Sequence, residues 1–232
     1  MAIAIIAGPT TATGAEDSSY SITSGIANHA GTDKCLVVCL TWMAESNITV
    51  SSVGVGSYNL TEAGTQQHDY ATGVGSSIWY LANPGQVSNA VAVNFSGEAK
   101  FFVAASMLLS GVDQTTPALA AVGAFGSSSA PSVSISSTAA TTDDWGIDAV
   151  SHTESTMSSA GSGQVNTWGT AAEDDQMGAG STKPASAGSG VTLSWTMGSS
   201  ANWTSQGMLV QAAAAAPAGP PLGTHSLLGV GR

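Results

Sequence analysis

The chain has 232 residues, four Lys plus Arg against fifteen Asp plus Glu, and a formal net charge of −11. Only 8% of its residues are charged, against roughly a quarter in an ordinary soluble domain. The single arginine is Arg232, so the chain cannot displace phosphate counterions and is not a nucleic-acid binder. A polybasic membrane-surface anchor is excluded for the same reason, and no run approaches the 18 apolar residues of a spanning helix. Disorder is not implied either, because 43% of residues are hydrophobic and disordered chains are poor in these and rich in charge. Hydroxyls and backbone keep the surface wet, and few charges would be desolvated where such a surface packs against like neighbours.

Met1 to Ala7 is apolar but short and has no preceding basic residue, so it reads as a first strand near 3–6 rather than a secretory signal. A second strand is expected near 19–23. Lys34-Cys-Leu-Val-Val-Cys-Leu-Thr-Trp42 follows, apolar on both faces and therefore a central strand. Cys35 and Cys39, four residues apart on it, would lie roughly 13 Å from each other at about 3.3 Å per residue, too far for a disulfide. They read as buried thiols.

Further strands are expected near 48–56, 76–82, 89–95, 101–110, 132–137, 145–151 and 191–197, with an eleventh across about 203–213. Val91, Val93 and Phe95, then Val133 and Ile135, then Val191, Leu193, Trp195 and Met197 alternate with small or polar residues, the period of half-buried strands. The runs 101–109 and 203–214 are apolar on both faces, like 35–42. Asn83-Pro-Gly85, Ser96-Gly97, Ser110-Gly111 and Gly188-Ser-Gly190 punctuate them as turns. Residues 57–75 and 152–190 read as long polar loops, and 120–131 as an inter-strand connection. Short strands at this spacing predict an all-β, antiparallel, jelly-roll-like β-sandwich of ten to eleven strands, filling residues 1–216 as one domain. Residues 217–232 form a Pro/Gly-rich arm. Pro217, Pro220 and Pro221 favour an extended path, and Leu222, Leu227, Leu228 and Val230 present apolar side chains for a subunit contact.

Chemistry-bearing patterns are sparse. His29, His68, His152 and His225 are far apart and no Cys-x-x-Cys is present, so no metal is expected. Asp143-Asp144 and Glu173-Asp-Asp175 offer oxygen ligands without calcium-loop spacing. No Gly-x-Ser-x-Gly elbow occurs, and Gly178-Ala-Gly-Ser-Thr-Lys183 departs from a phosphate loop because Pro184 follows the lysine. No cofactor and no catalytic residue is expected. Among the tryptophans, Trp168 sits in a polar stretch and is the candidate stacking platform for a glycan, whereas Trp42 and Trp195 belong to apolar strand faces.

One resemblance bears on function. Ser77-Ile-Trp-Tyr-Leu-Ala-Asn-Pro-Gly85, Val91-Ala-Val-Asn-Phe-Ser-Gly97, Phe101-Phe-Val-Ala-Ala-Ser106 and Ser110-Gly-Val-Asp-Gln-Thr-Thr-Pro117 resemble the β-sandwich virion proteins of tailed bacteriophages and related domains of bacterial surface proteins. The likeness spans residues 34–117 best and rests on strand-and-turn patterns. It implies a non-enzymatic capsid decoration (cement) protein on the outer surface of a virion, assembled in the host cytoplasm. Its expected partners are the major capsid protein and copies of itself, with no nucleic acid and no membrane. The alternatives are a phage-tail or cell-surface carbohydrate-binding module, in which Trp168 would stack on a glycan, and a hydrolase on a jelly-roll scaffold.

Overall fold

The computed structural model describes residues 2–23, 29–45, 47–85, 90–153, 157–171 and 177–215. Every regular element among them is a strand. In chain order these are β1 (Ala4–Thr23), β2 (Cys35–Met43), β3 (Val50–Val55), β4 (Tyr58–Asn59), β5 (Thr61–Glu62), β6 (Gln67–Asp69), β7 (Val74–Ala82) and β8 (Ala90–Ser110). There follow β9 (Ala118–Ser128), β10 (Ser132–Ile135), β11 (Trp145–His152), β12 (Met157–Ala160), β13 (Val165–Ala171), β14 (Met177–Pro184), β15 (Val191–Met197) and β16 (Ala201–Val210). All pairings are antiparallel.

The architecture is an all-β sandwich of stacked sheets. The first sheet has eight strands with the path β4-β3-β8-β2-β7-β5, with β1 added on β8 and β6 on β7. Long strand β8 serves two partners: residues 101–109 pair with β2 and residues 91–95 with β3, while β1 follows both halves. The register of β1 on β8 slips between Asp17 and Ser19, and such a bulge bends a strand. The sheet thereby curls over a core of Leu36, Val38, Leu40, Trp42, Val53, Val93, Phe95 and Phe102.

The other face of β2 and β8 is buried as well. Cys35, Val37, Cys39, Val103, Ala105 and Met107 pack on Ile147, Ala149, Met208 and Val210 of the second sheet, whose order is β13-β14-β11-β16-β9. This shared layer joins the two halves of the chain. A third sheet, β10-β15-β12, covers the far side of the second through Val133, Ile135, Leu193 and Leu209. Strands β2, β11 and β16 and residues 101–109 of β8 are thus covered on both faces, which is why their sequences lose the period of two.

Sixteen strands are described rather than ten or eleven. The expected strands near 3–6 and 19–23 are one strand, β1, and those near 89–95 and 101–110 are one strand, β8. The connection at 120–131 is mostly β9. The expected loop at 152–190 supplies β12, β13 and the buried β14, and the loop at 57–75 supplies β4, β5 and β6. β14 escapes the pattern because it is built for close approach: a Cβ at Gly178 would collide with Thr41 and Val103, and one at Gly180 with the Trp168 indole.

Candidate functional site

The most elaborate polar arrangement lies between the second and third sheets. Asp148, on β11, is fully buried. Its Oδ2 accepts the Trp195 indole N–H at 2.7 Å, and its Oδ1 accepts the Ser181 backbone N–H at 2.6 Å and the Ser181 hydroxyl at 2.9 Å. Gln164 extends the network: its amide donates to Ser181 Oγ at 2.8 Å and its carbonyl accepts the Ser194 N–H at 2.7 Å. Burial raises the Asp148 carboxyl to about 6, against the downward pull of the Trp195 and Ser181 hydrogen bonds. The network pins β14 and β15 to β11. With no solvent exposure, Asp148 is a structural staple and does not meet a substrate.

Asp144 is likewise committed to the fold. Its two carboxylate oxygens accept the Ala212 and Thr141 backbone N–H groups, each at 2.7 Å. Residues 173–175 lie outside the described residues. Among the described residues no group of three or more His, Cys, Asp or Glu side chains is placed to hold a metal ion. His68 is buried between Trp42 and Tyr70, with ring centroids 6.2 and 4.7 Å away, and neither of its ring nitrogens makes a hydrogen bond. Burial lowers its pKa, more strongly than the Gly73 backbone and the nearby Asp69 carboxylate raise it.

The expected glycan platform is overturned. Trp168 is 4% exposed and packs in the layer between the first and second sheets. Stacking on a sugar needs a free ring face, and this ring has none. Its indole N–H lies beside the Cys39 thiol, and that contact works against the upward shift of the thiol. The polar neighbours Asn166 and Thr167 made the segment look like a loop, but it is strand β13, with Trp168 as its inward residue. The arm residues Pro217, Pro220, Pro221, Leu222, Leu227, Leu228 and Val230 lie outside the described residues.

Cys35 and Cys39 are free and buried, both facing the second sheet. Burial pushes the Cys35 thiol up to about 12, and pushes Cys39 up as well, with the Asp148 carboxylate adding to the shift. Thiolate, not thiol, is the nucleophile. Neither cysteine is expected to react with an aromatic disulfide reagent in the native protein. Both should react, with release of two equivalents per chain, once urea unfolds it. Rapid native labelling of either would contradict this burial.

Solvent-facing features remain. Glu16, Glu45, Glu98 and Lys100 line a recess of about 760 Å³, with one exposed Lys100–Glu45 ion pair at 3.7 Å. A groove of about 320 Å³ on the third sheet is lined by Ser134, Ser136, Ser186, Ser189, Thr192 and Lys183. The large exposed apolar side chains are Tyr58, Tyr70, Val122, Phe125 and Val165, and Val122 and Phe125 both belong to β9. Of the eight strands in the second and third sheets, only β11 and β14 carry a charged residue, Asp148 and Lys183. Asp148 is buried, so Lys183 is the single charge these strands offer to solvent.

No helix among the described residues is long and apolar enough to cross a membrane. No protein-family model, curated protein or solved structure matches the chain. The class that the fold defines is an all-β, antiparallel, sandwich-like protein.

Proposed function

We propose that this chain is a non-enzymatic structural protein of a tailed-bacteriophage virion, a capsid decoration protein that packs on the major coat protein and on copies of itself at the outer surface after assembly in the host cytoplasm. The observation that carries the reading is that the strands of the second and third sheets are nearly charge-free, in a chain whose net charge is −11. Apart from buried Asp148 and from Lys183 these strands carry no charge, and neutral hydroxyl-bearing strands desolvate at low cost when packed against a neighbour. The resemblance of residues 34–117 to phage β-sandwich virion proteins supports the same reading. Each contact can be weak, since many simultaneous contacts on a lattice raise the effective strength.

In this reading the stretch 152–190 acts through strands β12 to β14 rather than as a long polar loop. The carbohydrate-binding alternative has lost Trp168, the residue that recommended it. The test is copy number in gradient-purified particles, measured by mass spectrometry after cleavage at Glu or aromatic residues, because Lys and Arg total only four. Copies comparable to the major coat protein are expected. A few copies per particle would move the protein to the tail, and absence from particles would overturn the proposal.

A further inference from the structure

An edge strand carries a row of unpaired backbone N–H and C=O groups, and proteins blunt such edges with short strands, proline, charges or bulges. Every other edge of the described sheets carries one of these devices. β4, β5 and β6 have two or three residues, and β10 and β12 have four. β1 carries Pro9, Glu16 and Asp17, and its register shifts three times. β13 has a register shift between Asn166 and Trp168.

β9 has none of them along most of its length. It is eleven residues long, Ala-Leu-Ala-Ala-Val-Gly-Ala-Phe-Gly-Ser-Ser, without charge or proline, and its one irregularity lies at its first residues. It pairs with β16 on one side and with no other described strand. No residue of β9 is fully buried, and Val122 and Phe125 are 37% and 63% exposed. Being three residues apart on a strand, they flank the edge on opposite faces. The charge-free segment is longer than the strand: no Asp, Glu, Lys or Arg occurs from Gln114 to Thr142.

We propose that the open edge of β9 pairs antiparallel with β9 of a second copy of this chain, across a two-fold axis perpendicular to the sheet, so that the two five-stranded second sheets run on as one. This deepens the virion-protein reading and rests on it only for its setting. Charge selects a second copy as the occupant. Two chains of net charge −11 repel one another, and they approach at least cost where each is neutral. Side chains point the same way. Strand addition takes its affinity from main-chain bonds and its sequence specificity from side-chain pockets. Beside Leu119, Val122 and Phe125, β9 offers only Ala, Gly and Ser along its length, a poor set for reading the side chains of a foreign peptide. An isologous contact makes the same patch serve both partners.

The test is sedimentation velocity of the full chain over a wide concentration range. The wild type is expected to move from 22.9 kDa toward twice that mass. Val122→Lys with Phe125→Lys places charges on the edge and is expected to weaken association by at least about a hundredfold, with an unchanged thermal midpoint at concentrations where the wild type is itself monomeric. The control, Tyr58→Lys with Val165→Lys, adds the same charge at two other exposed positions and should associate like the wild type. Hydrogen exchange needs no substitution: amides of residues 118–128 should slow as concentration rises. A wild type that stays monomeric, a lysine pair on β9 that leaves association intact, a control pair that abolishes it equally, or unchanged exchange along 118–128 would each overturn the proposal. A monomer present in particles at coat-like copy number would defeat this inference and leave the virion reading standing. A β9-paired dimer absent from particles would do the reverse.

Discussion

Asp148→Leu is expected to destabilise the fold by about 3–5 kcal/mol, the cost of leaving buried donors without their acceptor. Leucine matches the volume of the carboxylate well enough to avoid a large cavity. It cannot accept the Trp195 indole N–H, the Ser181 backbone N–H or the Ser181 hydroxyl, which converge on Asp148 within 2.6–2.9 Å. Asp148→Asn is expected to cost less, because its carbonyl oxygen still accepts from part of that set. The two variants also differ from the wild type in pH response. The folded carboxyl sits at about 6 against a reference of 3.8, chiefly through burial. Between those values the folded chain keeps a proton that the unfolded chain has lost. Fewer protons on the unfolded state make the slope of stability with pH negative, so this group lowers stability as pH rises through that window and is flat above it. At about 1.36 kcal/mol per unit the change is on the order of 3 kcal/mol. Asparagine does not titrate, so the deficit of Asp148→Asn relative to wild type should be larger near about pH 4 than near about pH 7.5. Urea midpoints of both proteins at the two pH values measure it, and parallel shifts would show that Asp148 ionises in the fold as it does in the unfolded chain.

The parts of this fold that were legible in the sequence are those whose composition is dictated by burial. The run 34–43 is apolar on both faces because β2 lies between the curled first-sheet core and the second sheet, and β16 repeats the case at 201–210. Strands β10 and β15 alternate because only their inner faces are covered. What stayed hidden has an equally physical cause. Eight of the eleven residues of β9 are Ala, Gly or Ser, and Leu119, Val122 and Phe125 are spaced by three without a period of two, so the side-chain packing that strand propensity reflects is sparse there. β14 reads as a loop because glycines stand where Thr41 and Trp168 fill the space a Cβ would take. Ser96-Gly97 reads as a turn, but it falls inside β8, near the irregularity that bends β1 and β8 together. Charge does not single β9 out either: it lies in an uncharged stretch from Gln114 to Thr142, but the uncharged run 184–231 holds the largely buried β15 and β16.

Trp168 gives the second large effect, and it separates packing from recognition. Trp168→Ala is expected to cost about 3–5 kcal/mol, the range for deleting a buried aromatic ring and leaving its cavity. Trp168→Phe is expected to cost distinctly less. The indole N–H has no oxygen acceptor and only the Cys39 thiol beside it, so phenylalanine forfeits at most that weak contact and part of the packed volume. The ring also seals one side of the layer that holds Cys39. Its removal should therefore raise the rate at which a thiol reagent labels Cys39, while Trp168→Phe leaves labelling near the wild-type rate. Thermal or urea unfolding and timed labelling of the three proteins measure both effects. A recognition platform would give the opposite pattern: a stable alanine variant, an unreactive Cys39, and a loss confined to glycan binding. The placement of Trp168 over Gly180, between two sheets and away from solvent, ties the residue to the cohesion of the sandwich, and the surface available for partners then lies on its outer strands and along β9.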